Sequence, residues 1–228
     1  MSRAQRIDLA TWPRREHFEH YRDRGPCTYA ITVELDVTRL KGALRETKRK
    51  TYIAQLWALA SVVNRHSEFR MTLTEDGSPA MWDVAHPAFT VFNPEREIFA
   101  SVWAPFSTDF DRFHDIAAEL LETHRSATTL FPEGEIPANS FDVSSLPWTQ
   151  FTSFSLQIAD GWDHLLPIFT LGRYVEREGR TSLPLAIQMH HAAADGFHIA
   201  RLVEELQALV GAPDWLRAVS SKPHRPLG

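Results

Sequence analysis

The stretch QMHHAAADGFHIARLV, residues 188–203, changes its hydrophobic period once, and that change dictates the local fold. Ahead of it Leu183, Leu185, Ile187 and Met189 alternate with Pro184, Ala186, Gln188 and His190, the period of two that marks a strand with a buried face. His191 shares the parity of the apolar positions, so His190 is expected to point the other way. After Gly196 the apolar residues Ile199, Leu202, Val203, Leu206, Leu209 and Val210 recur at helical spacing, and Gly211 with Pro213 closes the run. The expectation is a strand, a tight turn carrying Asp195, and a helix.

That geometry bears on the two histidines. Adjacent strand residues project to opposite faces, so His190 and His191 are badly placed to grip one ion. No cysteine pair or HExxH array adds ligands, and no metal is expected. A buried histidine satisfied by a backbone carbonyl is the plainer alternative for His191. Its place at a strand end, before a turn and four residues from a carboxylate, favours a working base, because imidazole titrates near neutrality and strand-end loops carry chemistry.

With 228 residues, 43% of them hydrophobic, seven Trp and fourteen Phe, the chain can bury a substantial core as one domain spanning residues 1–228. A net charge of −5 without a basic run argues against nucleic acid as the main partner. The single cysteine, Cys27, cannot form an intrachain disulfide and suits a reducing compartment. No apolar stretch approaches the roughly 18 residues of a membrane span, and the N-terminal residues lack the apolar core of a signal peptide. A soluble, cytoplasmic protein is the expectation.

Periodicity predicts a short helix over 14–22, a strand through Tyr29, Ile31, Val33, Leu35 and Val37, and helices near 38–48 and 52–64. A hairpin at Asp76-Gly77 and strands near 88–92 and 98–103 follow. Thr108 reads as the cap of a helix with a stripe of Phe113, Ile116, Ala117, Leu120 and Leu121. Residues 127–140 read as a long loop with outlying Leu130 and Phe131. Strands are predicted over 151–159, 168–176 and 183–191, the last two joined through Gly179. The fold class is α/β in the mixed α+β sense.

At His191 to Gly196 the run resembles the HHxxxDG signature of CoA-dependent acyltransferases. WPRREHFEHYR at 12–22, FTVF at 89–92, LFPEG at 130–134, SSLPW at 144–148, FTSFSLQIA at 151–159 and LPLAIQMHHAAADGFHIARL at 183–202 are similar, in that order, to chloramphenicol acetyltransferases. The resemblance implies a two-layer sandwich of mixed sheet and packed helices, the CoA-dependent acyltransferase fold. It also implies a homotrimer whose active sites lie between subunits, with a sheet extended by a neighbour's strand. The implied activity is acetyl-CoA-dependent acetylation of the 3-hydroxyl of chloramphenicol, the antibiotic being thereby inactivated, with acetyl-CoA as cosubstrate and no tightly bound cofactor.

Residue by residue, the resemblance makes His191 the general base, its imidazole held by its own backbone carbonyl. Asp195 becomes a structural partner of Arg14, Ser144 the oxyanion donor, and Thr170 the holder of a water at the same transition state. The implied acceptor pocket takes Tyr21, Cys27, Tyr29, Phe99, Phe131, Leu156 and Ile168. CoA contacts fall on Tyr52, Trp148, Arg173 and Tyr174, with Lys50 a weaker candidate. Taken without the resemblance, Arg14 reads as a solvated helix residue, Ser144 as a turn residue, Thr170 as a strand former and the aromatics as core. Two positions depart from the family pattern: Ala194 where cysteine is frequent, and His20 beside Tyr21.

Three other readings remain open at this point. Cys27 would be a nucleophile in a covalent route, the acceptor would be another hydroxylated small molecule, or the chain would bind drug or CoA without catalysis. The dihydrolipoamide acyltransferases carry a similar motif but normally place a lipoyl domain and an Ala/Pro-rich linker ahead of it. No such linker is seen here.

Overall fold

The alternating run becomes the centre of the main sheet. The structure, a computed structural model, describes residues 3–156 and 163–217. Its strands are β1 (Ala4–Arg6), β2 (Thr28–Asp36), β3 (Met71–Leu73), β4 (Pro79–Trp82), β5 (His86–Asn93), β6 (Ile98–Trp103), β7 (Ser140–Ser145), β8 (Ile168–Leu171), β9 (Val175–Arg177) and β10 (Arg180–His190). Its helices are α1 (Arg15–Glu19), α2 (Thr38–Thr47), α3 (Thr51–Val63), α4 (Phe110–Thr123) and α5 (Gly196–Gly211). The larger sheet runs β2-β10-β8-β7-β5-β6, with β9 hydrogen-bonded to the start of β10. β5, β7 and β8 are mutually parallel where they meet, and the other pairs are antiparallel.

Register explains how one side of this sheet becomes core. Leu185 lies opposite Leu171, Ile187 opposite Phe169, Phe169 opposite Val143 and Phe89 opposite Val143, so all of them face one way. They join Ile53, Leu56 and Val63 of α3 and Ile199, Leu202 and Leu206 of α5 in one buried cluster. Each fully buried side chain of this size contributes roughly 1.5–3 kcal/mol by leaving water. The opposite face carries Asp142, Ser144, Ile168, Thr170, Ala186, Gln188 and His190.

Several expectations need correction. β10 is buried on both faces, not one, because it lies inside the sheet and residues 151–156 cross beside it. Leu156 is bound there through both backbone groups, its N–H donating to Gln188 Oε1 at 2.8 Å and its carbonyl accepting from Gln188 Nε2 at 3.1 Å. Those same residues, expected as a strand over 151–159, have no ladder partner and are irregular, and 157–159 lie outside the described residues. The run at 168–176 breaks into β8 and β9. Helix α4 is capped by Asp109, not Thr108: the Asp109 carboxylate accepts from the N–H groups of Asp111 and Arg112. The helix predicted over 14–22 is α1 followed by a π-helical turn, His20–Arg24. Strand β7 was not predicted: it begins at Ser140, the last residue of the predicted long loop, and runs through residues given no element.

The hairpins behave as their residues require. Gly77 between β3 and β4 has φ +77°, and Glu178 with Gly179 has φ values of 51° and 76° in the two-residue turn before β10. β1, β4 and β3 form a separate three-stranded sheet.

Candidate active site

β10 ends at His190, and the next four residues build a turn around it. Ala193 and Ala194 both donate backbone N–H groups to the His190 carbonyl, at 3.0 and 3.3 Å, and Ala192 donates to His190 Nδ1 at 3.1 Å. Accepting at Nδ1 leaves the His190 proton on Nε2. Burial holds this imidazole below its usual pKa, against the pull of Asp163. Ala192, Ala193 and Ala194 are wholly buried, so larger side chains would have to displace the core. Ala194, where cysteine is frequent, is among them.

His191 stands just beyond the strand, partly exposed, with its N–H bonded to the Cys27 carbonyl at 3.0 Å. Its ring stacks on Tyr21, with centroids 3.8 Å apart and planes 15° apart, and meets the edge of Tyr29 at 5.2 Å. The Tyr29 hydroxyl donates to the Ala194 carbonyl, and burial followed by the nearby Asp195 charge raises its pKa, so it stays a donor. His191 Nδ1 is buried without a hydrogen-bond partner among the described residues. The hydrogen bond to the residue's own carbonyl that the resemblance implies is therefore not formed at this nitrogen. His20 packs edge-on to Tyr21 at 4.9 Å.

Asp195 caps α5. Its Oδ1 accepts from the Phe197 N–H at 3.1 Å and lies 2.8 Å from His198 Nδ1, while Oδ2 accepts from Arg14 Nη1 at 2.5 Å. Burial opposes ionisation of Asp195, but the Arg14 hydrogen bond and the charges around it outweigh that and hold the carboxyl below its usual range. The motif's aspartate and the arginine 181 residues before it therefore meet, as the resemblance requires.

Ser144 and Thr170 come together elsewhere. They are register partners on parallel β7 and β8, and Thr170 in turn lies opposite Ala186 of β10. From Ala186 to His191 is roughly 16 Å along the strand, and from Ala186 to Ser144 roughly 10 Å across two strand spacings. Within one chain the base and the serine are thus about 19 Å apart.

A cavity of about 510 Å³ opens beside Ser145, the neighbour of Ser144 on β7, and is lined also by Tyr52, Gln55, Leu121, Trp148, Arg173 and Tyr174. All four residues assigned to CoA line it. Lys50 does not; it precedes α3, with its N–H toward His114. Burial pushes the Tyr52 and Tyr174 hydroxyls up to about 12, so both are neutral, and Gln55 donates to the Tyr174 oxygen at 2.8 Å. Trp148, 58% exposed, forms an apolar lip, and Arg173 lies beside it with a hydrogen bond to its carbonyl at 3.4 Å. An apolar channel with a guanidinium at its mouth suits a flexible thioester arm ending in phosphate. Gln55 was not foreseen; the signal was a lone amide within the apolar run IAQLWALA.

The acceptor-pocket candidates divide in the same way. Tyr21, Cys27 and Tyr29 surround His191. Phe99 sits on β6 opposite Phe92, and the Leu130 carbonyl accepts from the Ser101 N–H at 2.7 Å, bringing Phe131 to that edge. Phe99 and Phe131 are half exposed, at 52% and 51%. Leu156 and Ile168 both border Gln188, between the two groups. No group of three or more His, Cys, Asp or Glu among the described residues is arranged to hold a metal ion.

A mixed sheet backed by helices, a histidine on the turn after its central strand and an apolar channel beside a strand serine define the class: the fold is that of the CoA-dependent acyltransferases. A solved chloramphenicol acetyltransferase aligns with a TM-score of 0.80 over 91% of this chain and 100% of that one, at 23% identity. A dihydrolipoamide acetyltransferase from Azotobacter vinelandii aligns at 0.63 over 89% and 88%, with 18% identity. In sequence, a chloramphenicol acetyltransferase of Streptomyces acrimycini is 66% identical over 92% of this chain and 96% of its own length. One from Escherichia coli is 41% identical over 90% and 95%. The family profile for chloramphenicol acetyltransferase matches residues 3–207. The chain belongs to the chloramphenicol acetyltransferase family.

Proposed function

We propose that the protein, as a single catalytic domain per chain, transfers acetyl from acetyl-CoA to the 3-hydroxyl of chloramphenicol, directly and in a ternary complex. The nitrogen of His191 opposite Nδ1 accepts the hydroxyl proton as the alcohol oxygen attacks the thioester carbonyl. Negative charge on the former carbonyl oxygen meets the Ser144 hydroxyl, with Thr170 beside it. The carbon–sulfur bond then breaks and the imidazolium returns its proton to the departing CoA thiolate. Arg14 and Asp195 hold the turn, and Tyr21 and Tyr29 hold the ring. Tyr21, Cys27, Tyr29, Phe99, Phe131, Leu156 and Ile168 take the amphenicol, while Tyr52, Trp148, Arg173 and Tyr174 take CoA.

The observation that carries this reading is the division of the site. Reacting groups must lie within about 3–3.5 Å of each other's partners, and ~19 Å separates His191 from Ser144 in one chain. Two chains facing each other supply both halves, and a closed ring of three does so three times, which is the homotrimer we propose. Catalysis belongs in the cytoplasm, where acetyl-CoA is made and Cys27 stays reduced. No helix among the described residues is long and apolar enough to cross a membrane.

The test is release of free thiol from acetyl-CoA by the purified protein, with and without chloramphenicol. Release that needs the drug and vanishes in His191→Ala supports the assignment. An active His191→Ala protein rejects the base, and acetyl trapped on Cys27 rejects direct transfer.

A further inference from the structure

The resemblance makes the pair formed by Arg14 and Asp195 the support of the motif turn, but its geometry leaves the support incomplete. Only Arg14 Nη1 reaches Asp195; Arg14 Nε and Nη2 are buried with no hydrogen-bond partner among the described residues. A contact through one nitrogen fixes a distance and not an orientation, unlike the two-point fork a guanidinium can offer a carboxylate. The idle donors also pull: a carboxylate free to turn would swing into a two-point contact and drag the turn with it.

What prevents that sits on the other oxygen. Oδ1 receives the Phe197 N–H at 3.1 Å and lies 2.8 Å from His198 Nδ1. His198 occupies the third position of α5, where a capping box commonly has Glu or Gln, and its side chain closes such a box against the Asp195 backbone N–H. Its Nδ1 is also 3.2 Å from the Asp195 N–H, and one nitrogen cannot both donate to the carboxylate and accept from the amide. The shorter, charge-assisted contact decides between them: a bare Nδ1 lone pair at 2.8 Å from a carboxylate oxygen would be repelled. A proton on Nδ1 satisfies the shorter of the two contacts and leaves the Asp195 N–H without that acceptor.

We propose that His198 is a positioning residue for the transfer reaction: as an Nδ1–H donor it locks the orientation of the Asp195 carboxylate, and through it the turn that carries His191. The proposal rests on His191 being the base. The groups facing His198 are Asp195 on its own helix cap, Arg14 from the segment before α1, and His66 after α3. Burial, with Arg14 and His66 adding to it, keeps the ring below its usual pKa despite Asp195, so it works as a neutral donor. Protonation at low pH would keep the same Nδ1–H bond.

Two measurements test this. Long-range proton–nitrogen spectra of the imidazoles should show His198 as the Nδ1–H tautomer; an Nε2–H tautomer overturns the proposal whatever the activity. Second, His198→Leu and His198→Asn are compared with wild type for kcat, KM and Tm. Loss of one hydrogen bond to a charged group corresponds to a fall of roughly 10- to 100-fold in kcat for the leucine variant, with both KM values unchanged. Asparagine, which offers an N–H, should restore most of it. In Asp195→Asn the leucine substitution should cost little more, because the two act as one unit.

A leucine variant with wild-type kcat overturns the proposal. So does a loss that tracks Tm and that asparagine does not rescue, or a failure of every non-donating variant to fold. Wild-type protein without drug-dependent thiol release would instead reject the reading of His191 as base, leaving the tautomer result to judge His198.

Discussion

Two inactive variants should make an active enzyme. His191→Ala removes the base and Ser144→Ala the oxyanion donor, and each alone should lack nearly all or most turnover. Register puts the two residues ~19 Å apart in one chain, far beyond the ~3 Å reach of a catalytic hydrogen bond. If each working site takes its histidine from one chain and its serine from the next, a chain lacking serine still gives histidine to a neighbour lacking histidine. When the two variants are co-expressed in equal amounts and assemble at random, about three quarters of trimers hold both kinds of chain. Each mixed ring has about one intact site in three, so total activity should reach about a quarter of wild type. The assay is chloramphenicol-dependent thiol release by doubly tagged, tandem-purified hybrids, which raises the expected value to about a third. Hybrids no more active than Ser144→Ala homotrimers would refute the reasoning, because a site contained in one chain gains nothing from mixing.

Four further outcomes are expected. Ser144→Ala should lower kcat roughly a hundred- to a thousandfold, about 3–4 kcal/mol, with chloramphenicol KM little changed in steady-state assays. Arg173→Met should raise KM for acetyl-CoA by about tenfold while leaving chloramphenicol KM alone; an equal effect with dephospho-CoA thioester would show that Arg173 does not meet the 3′-phosphate. Burial pushes Asp142 up to about 6, so between about pH 4 and 6 the folded chain keeps a proton that the unfolded chain releases, and stability falls as pH rises. Its side chain is 48% exposed, which screens the effect, and Asp142→Asn should raise Tm at pH 7.5 by about 2–4 °C, the shift of ~1 kcal/mol, in calorimetry. Phe113→Ala, emptying a fully buried site on α4, should cost about 3–5 kcal/mol in denaturant titration.

Much of the local architecture was legible because local rules generate it. The period change at Gly196 marks where β10 gives way to α5, and Asp76-Gly77 marks a hairpin, since φ above zero favours glycine there. The run from Ile199 to Val210 shows which helix face enters the core. Each of these depends on neighbours within a turn or two. Strand β7 was not legible, because SFDVSS alternates too weakly to announce itself and earns its place only by lying between β5 and β8. The irregular path of 151–156 misled for the opposite reason: FTSFSL has strand composition, yet its hydrogen bonds go to the side chains of Gln188 and Thr32 in place of a ladder.

The sequence by itself determined the chemistry available at the turn: a histidine at a strand end, an aspartate that caps the helix behind it, and motif blocks in one order from end to end. The family resemblance paired Arg14 with Asp195, but the residues could not say that Tyr21 lies flat against His191, or that Arg14 grips Asp195 through a single nitrogen. Those depend on contacts between segments distant along the chain, whose partners are chosen by the packing of the whole core. Above all, only the tertiary structure decided that His191 and Ser144 stand far apart within one chain. Strand order and register set that separation, and no local pattern of residues encodes either.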